Sequence, residues 1–353
     1  MAGPKTKFIC KKIATIRWFV VLAVLFYSYW WVMTNHVVRD FYDPQYVMKL
    51  ESLQARLREN PGHPLWLTLG SSRVERGFRP GLIEDRMSGK EAPLIYNFGL
   101  GGASMFRQYI CLRRLLEDGI KPQRVGIEVA GVTMSSQAFE IDDSPQLLIR
   151  ARSDELDNYT WYSTKPSEFL SGWRQSRWDP AYKFGMKIPH QTLSWRLIPI
   201  PWVHYLEKVP YDKWGWFPVE PAPIPPDVYA ANFATAKIDF GDKFGNFKIS
   251  PRTDLPLRHM LEMCKDAGID AFLVETPEAK EFHALYTPEA NAVIESYLRK
   301  IEGEYGVPLI DATTWIATEG FTDGYHLNAT GAEEFTRRFA DELFKTAKAQ
   351  PAH

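Results

Sequence analysis

Five short apolar runs, "LWLTLG", "LIYNFG", "RVGIEVA", "DAFLVET" and "VPLIDA", recur along the chain with stretches of helical periodicity between them. That alternation is the signature of an α/β fold. Runs so nearly continuous in apolar side chains indicate a sheet covered on both faces, hence a parallel one. The periodicity predicts helices over 105–117, 255–267, 288–305 and 331–345. At 353 residues, with 45% hydrophobic and 14% aromatic side chains, there is ample material for a globular core. Lys and Arg number 42 against 43 Asp and Glu, a formal charge of -1, which offers nucleic acid no global attraction.

The N-terminal region carries a second constraint. From Ile13 to Met33 the chain is apolar but for Arg17, Thr15 and a few hydroxyls. As a helix these 21 residues span roughly 31 Å, one bilayer core. Arg17 can snorkel to the headgroups at one end, and Tyr27, Tyr29, Trp30 and Trp31 form an aromatic belt at the other. No small-x-small cleavage pattern follows the run, which favours an uncleaved anchor over a signal peptide. Lys5, Lys7, Lys11 and Lys12 precede it with no acidic residue among them, so the positive-inside rule places the N-terminus in the cytoplasm and the rest outside. The expected organisation is a basic tail (1–12), a transmembrane anchor (13–34), an amphipathic linker (35–62) and an α/β domain (63–353).

That domain is interrupted between the third and fourth runs, over about 135–250. The interruption holds seven of the twelve tryptophans (Trp161, Trp173, Trp178, Trp195, Trp202, Trp214 and Trp216) and the stiff "PVEPAPIPPD". Two readings stand side by side: a lid or platform on which sugar faces stack, or a small subdomain that uses tryptophan as core or at a membrane interface. Of the three cysteines, Cys10, Cys111 and Cys264, none has metal-ligand or disulfide spacing, and the last two read as helix core residues.

In a parallel sheet, ligands gather beyond the carboxyl ends of the strands. There the chain reads "LTLGSSRVERG", "IYNFGLGGAS" and "IEVAGVTM". A glycine followed by serines exposes a hydroxyl at a tight turn and aims backbone N–H groups into the same space. Near the C-terminus, "FTDGYHLNATGAEEF" sets Asp323 three residues before His326, a spacing at which a carboxylate can orient an imidazole. The plainer reading is that Asp323 closes a turn with Gly324 and that His326 lies at the surface. A helix is expected to start around 328–331, with Thr330 and Glu333 as a capping box. Arg73, Glu75 and Arg76 read as a solvated loop face, with polar substrate binding as the alternative. Glu128 and Glu275, at strand ends, have no partner evident in the sequence.

The serine block after the first strand, together with D-x-x-H near the C-terminus, resembles the SGNH (GDSL-like) hydrolase superfamily over about residues 65–134 and 255–343. The resemblance implies a three-layer, flavodoxin-like parallel sheet. It also implies Ser72 as nucleophile, with Ser71 the runner-up, and Asp323 and His326 as the remaining triad members. The Ser72 N–H and Gly102 become oxyanion donors, Gly101 being a near alternative to Gly102, and neither cofactor nor metal is required. One block departs from the family pattern: after the third strand the usual asparagine is replaced by Val132, so a side-chain oxyanion donor is missing. Asn97 could compensate, although an Asx turn is its more ordinary role.

An N-terminal anchor joined to such a domain is similar to proteins associated with O-acylation of exported polymers, in alginate acetylation and teichoic-acid D-alanylation. The similarity implies an extracytoplasmic acyltransferase acting on an exported or cell-envelope glycan beside a membrane-bound O-acyltransferase. An esterase or deacetylase on the same polymers, or a non-catalytic assembly or polymer-binding subunit, are the alternatives.

Overall fold

The computed structural model describes residues 4–32, 43–87, 89, 92–135, 150–178, 211–219 and 223–349. All five apolar runs form strands: β1 (Leu65–Gly70), β2 (Leu94–Gly99), β3 (Arg124–Glu128), β4 (Asp270–Glu275) and β5 (Leu309–Asp311). They make one parallel sheet in the order β2-β1-β3-β4-β5, with Trp66 opposite Arg124 and Ile95, and Arg124 opposite Asp270. Every residue of β1, β2 and β3 is buried, which is why their sequences run apolar without alternation. The chain winds outward in both directions from β1, so the point where strand order reverses lies between β1 and β3. In open sheets of this kind, ligands gather beyond the carboxyl ends of the strands at such a point.

In chain order the helices are α1 (Pro4–Val32), α2 (Pro44–Glu59), α3 (Ser72–Gly77), α4 (Met105–Glu117), α5 (Gly131–Met134), α6 (Leu156–Tyr162), α7 (Pro166–Trp178), α8 (Pro226–Phe240), α9 (Pro251–Asp266), α10 (Lys280–His283), α11 (Pro288–Tyr305) and α12 (Ala329–Ala349). Their starts follow capping chemistry. Ser104, Ser250 and Thr287 each accept a backbone N–H from the first turns of α4, α9 and α11, and proline occupies the first turn of the last two. Cys111 and Cys264 are buried in α4 and α9, as their helical setting predicts. The cap of α12 differs from expectation. Asn328, not Thr330, accepts the Gly331 N–H at 3.0 Å, and Glu333 pairs with Arg337 instead of reaching back. Asn328 wins because its Nδ2 also donates to Glu319 O at 2.6 Å, which ties the cap to the preceding turn.

The described residues fall into two units. In one, comprising 4–32, 43–47 and 150–178, α1 contains an 18-residue window, Lys12–Tyr29, long and apolar enough to cross a membrane; a signal sequence has the same character. In the same unit Tyr159 of α6 stacks on Phe169 of α7 at 5.6 Å and Trp173 donates to Ala151 O, so these aromatic residues do core work. Trp161 is exposed there, while Trp195, Trp202 and part of the proline run lie outside the described residues.

The other unit holds the sheet and 48–87, 89, 92–135, 211–219 and 223–349. Here α4 packs with α9, and α12 packs with α3. Phe339 of α12 meets both Phe78 just beyond α3 (4.9 Å) and Phe272 of β4 (6.2 Å). Arg124, buried beneath α12, donates to Leu343 O at 2.6 Å and to the Thr346 hydroxyl at 2.8 Å. The long stretch between β3 and β4 contributes no strand to the sheet among its described residues.

Candidate active site

Ser71 and Ser72 follow directly on β1. Ser71 caps α3, its hydroxyl accepting the Arg73 N–H at 3.2 Å, and Ser72 is the first helical residue. The turn demands a glycine at 70, since a Cβ there would strike the Val74 side chain and come within 2.9 Å of Glu128 Oε2. That carboxylate accepts the Ser71 N–H at 2.5 Å and the Thr276 hydroxyl at 3.1 Å, so the serine turn is strapped to the ends of β3 and β4.

Asp323 and His326 arrive on a short closed loop. Phe321 and Leu327 bridge in antiparallel fashion, and Thr322 N donates to His326 O at 2.8 Å. At the tip Gly324 adopts φ +95, a left-handed conformation that costs glycine little. Both sequence readings of Asp323 hold together. Its Oδ1 closes the turn by accepting the Tyr325 and His326 N–H groups at 3.1 and 2.8 Å, while Oδ2 lies 2.7 Å from His326 Nδ1. His326 is buried, not a surface residue.

On the other side of the ring, His326 Nε2 lies 2.7 Å from Ser72 Oγ. An ionised carboxylate only accepts, so the Nδ1 proton faces Asp323 and the Nε2 lone pair faces the Ser72 hydroxyl, which donates to it. Burial works to raise the Asp323 pKa, but hydrogen bonds and charge from His326, with the two backbone N–H groups, outweigh it and hold the carboxyl below its ordinary range. The Tyr325 ring, 4.1 Å from the imidazole, is itself packed by Phe240 and Phe282 and backs the histidine. One helix serves both partners: α12 begins at the Asn328 cap beside His326. Thr336 on that helix accepts the Arg79 N–H at 2.9 Å and donates to Gly77 O at the end of α3.

Gly102 lies in the turn after β2 with φ +70, exposed, with no atom within 4 Å of an added Cβ. Gly101 precedes it in the same turn. Val132 is buried in α5, at the end of β3, and offers no donor. Asn97 does not fill that gap. Its Oδ1 accepts the Gly99 N–H at 2.8 Å, as in an Asx turn, and its Nδ2 is spent on Val74 O (2.8 Å), Glu75 O (3.3 Å) and Phe78 O (2.5 Å). Its main chain is equally engaged, accepting from the buried Lys49 Nζ and donating to Trp214 O, so Asn97 clamps α3 to β2.

The solvated-face reading of the residues after Ser72 is overturned for two of the three. Arg73 is buried and pairs with Glu278 Oε1 at 2.8 Å. Glu75 is also buried and accepts the Tyr211 hydroxyl at 2.7 Å. The segment 211–217 folds under α3: Phe217 N donates to Glu75 O at 3.0 Å and Trp216 Nε1 to Arg76 O at 2.6 Å. Arg76 alone turns outward, into a cleft of about 520 Å³ that also touches Asp323, Tyr325, Phe217 and the α8 residues Val228 and Asn232. The far end of the Trp-rich stretch thus walls a cleft beside the Asp323 loop. Trp214 and Trp216 themselves are buried behind it and are not open stacking faces.

Glu278 also accepts the Tyr286 hydroxyl at 2.9 Å and faces His283 Nδ1 at 3.2 Å. Burial opposes its charge, yet Arg73 and these hydrogen bonds keep it below the usual carboxylate range. At the end of β4, burial and then the neighbouring Asp311 and Glu278 push Glu275 up to about 8.

No protein-family model and no curated protein matches this chain. Among solved structures it is similar to a putative arylesterase from Agrobacterium tumefaciens str. C58, at 14% sequence identity over 80% of this chain and 99% of that one, with a TM-score of 0.32.

Proposed function

We propose that this chain is a serine acyl-transfer enzyme of SGNH-like, three-layer build. It is anchored by α1 with its N-terminus in the cytoplasm, and acts outside on an exported or cell-envelope glycan. The observation that carries the reading is the unbroken line Asp323, His326, Ser72, with 2.7 Å at each junction. The parallel sheet and the place of the serine directly after β1 agree with the SGNH-like resemblance and support this reading.

The chemistry follows from that line. Ser72 Oγ attacks the carbonyl carbon of an acyl donor as its proton passes to His326 Nε2, and Asp323 stabilises the imidazolium. Collapse of the tetrahedral adduct expels the donor oxygen, which takes the proton from Nε2 and leaves an ester on Ser72. A glycan hydroxyl then attacks that ester, giving its proton to Nε2, and Ser72 recovers it on leaving. The Ser72 and Gly102 N–H groups are the oxyanion donors in this reading. With Val132 in place of a donor side chain, the backbone carries that load, and a missing donor is worth on the order of a hundredfold in rate. The cleft at Arg76 and Asp323 supplies room for an acceptor. A membrane-bound O-acyltransferase is the donor partner this reading calls for.

The test is mass spectrometry after exposure to a serine-directed fluorophosphonate, followed by a chase of acyl-loaded protein with glycan acceptor or water. Labelling confined to Ser72 and discharge to glycan is the expected result. Discharge to water alone makes the protein an esterase, and no labelling of folded protein makes it a binding subunit.

A further inference from the structure

The stretch that carries the nucleophile shows solvent very little. Of residues 71–79 only Ser72, Arg76 and Arg79 are partly exposed, and the rest are buried. Ser72 and Arg76 stand four apart in α3, so they share one face of the helix, one turn or about 6 Å of rise from each other. The charged side chains of this helix have different fates. Arg73 is spent on Glu278, and Glu75 accepts the Tyr211 hydroxyl. Arg76 has no such partner: its Nε is buried without an acceptor, and its guanidinium makes no hydrogen bond or ion pair among the described residues.

Its place is nonetheless fixed. Trp216 Nε1 donates to Arg76 O at 2.6 Å, Phe217 N donates to Glu75 O at 3.0 Å, and the Phe217 ring centre lies 5.4 Å from the guanidinium carbon. A guanidinium held in position with its fork of donors unused matches the paired oxygens of a carboxylate or a phosphate. The cleft it enters reaches the base, since Asp323 and Tyr325, whose ring backs His326 at 4.1 Å, line the same space. Of the two carboxylates in that lining, Asp323 is committed to His326 and to two backbone N–H groups. The other, Asp239 of α8, forms no ion pair with Arg76 among the described residues. Arg76 is the one basic residue of the lining and has no counter-charge bound to it.

We infer that Arg76 is a specificity-determining residue, which holds an anionic group of the acyl acceptor, a carboxylate or a phosphate, one helical turn from the Ser72 hydroxyl. The acceptor is then an acidic polymer, not a neutral one. The inference rests on Ser72 being the nucleophile.

The experiment measures labelling of the full-length chain in nanodiscs by three matched fluorophosphonates, with thermal melting to verify folding. Their alkoxy arms take the acceptor's place and end, about 6 Å from phosphorus, in a carboxylate, a methyl phosphate or an uncharged carboxamide. Labelling of Ser72 in the parent protein by the carboxamide probe decides whether Ser72 is a nucleophile at all. If none of the three probes labels folded protein, that reading falls and the inference falls with it. The ratio of anionic to carboxamide labelling efficiency, kinact/KI, decides the role of Arg76. A ratio of at least about fivefold for one of the anions is expected in the parent. Preference for the carboxylate points to an acid sugar, and preference for the phosphate to a phosphodiester polymer. In Arg76→Gln the ratio is expected to fall to within about twofold of one, and in Arg76→Glu to drop below one. Each ratio is taken within a single variant, so a merely structural loss does not move it. A parent ratio short of about fivefold overturns the inference, as does either variant, once folded, that keeps the parent's preference.

Discussion

Among the described residues there are two histidine–carboxylate pairs of similar local design, His326 with Asp323 and His283 with Glu278, and they differ in what surrounds them. In the first, Nδ1 faces the carboxylate at 2.7 Å, Nε2 meets the Ser72 hydroxyl, and only 11% of the imidazole side chain is exposed. In the second, the Nδ1 to carboxylate distance is 3.2 Å, 43% of the ring is exposed, and Nε2 meets no hydroxyl among the described residues. The carboxylates differ more than the rings. Glu278 is already compensated by Arg73 and hydrogen-bonded by Tyr286, whereas among the described residues the only side chain bonded to Asp323 is His326. A carboxylate claimed by a permanent cation gains little from a transient imidazolium. One without a competing cation stabilises it fully, and that is what a proton-accepting base needs.

The comparison breaks first at the base. His326→Ala and Ser72→Ala are expected to cut phosphonate labelling by about a thousandfold or more while the domain stays folded. His283→Ala is expected to leave labelling within about twofold; a matching collapse would show that the second pair shares in the chemistry. Next comes the second carboxylate. Glu278→Gln strands the buried Arg73 charge, and a loss of about 3–5 kcal/mol in denaturant unfolding of the protein is expected. A loss under about 1 kcal/mol would contradict the dependence of buried Arg73 on Glu278.

Asp323→Asn is expected to slow labelling roughly ten- to a thousandfold, short of complete loss, because the base remains but its charge partner does not. The same substitution has a pH signature. The folded carboxyl titrates below its ordinary 3.8, so its stabilisation is present above that value and is lost as pH falls through the folded pKa. Acid unfolding should therefore be less steep in the variant, and an unchanged slope would contradict the ion pair. The smallest effect belongs to His283. Its hydrogen bond to Glu278 acts first and raises it above 6.5 despite partial burial, so its contribution is full below 6.5 and fades as pH rises through the folded value. His283→Gln should flatten that stretch of the stability profile by less than about 1 kcal/mol, given its exposure.

Much of this architecture was legible in the residues. Buried strands announce themselves by unbroken apolar runs, and α4 and α11 match their predicted spans to the residue because serine and threonine caps and a first-turn proline mark them. Ser72, Asp323 and His326 were singled out through the resemblance of their two sequence blocks to a family pattern, since local spacing alone fits a plain turn, and the fold brings the three side chains together. The burial of Arg73 and Glu75 was not legible. Both are covered by partners distant in sequence, Glu278 after β4 and the 211–217 segment, and no pattern within a six-residue helix records that. The α12 cap was missed for the same reason, since Asn328 outranks Thr330 through a bond to Glu319 O that local spacing does not encode. Asn97 shows the intermediate case: its turn to Gly99 is local and readable, while its two bonds to α3 and one to Phe78 just beyond it are not.

The hydrogen bond between Ser72 and His326 joins residues 254 positions apart, and the helix that follows His326 is the one that packs against α3. A contact of such high order forms late, after the loop-closure entropy of nearly the whole domain has been met. Synthesis delivers Ser72 254 residues before His326, so a partly made chain carries the serine without its imidazole partner. In the finished protein the same linkage runs backwards. Any fluctuation that lifts α12 withdraws the imidazole, and amide exchange in that helix and the reactivity of Ser72 then share one opening free energy.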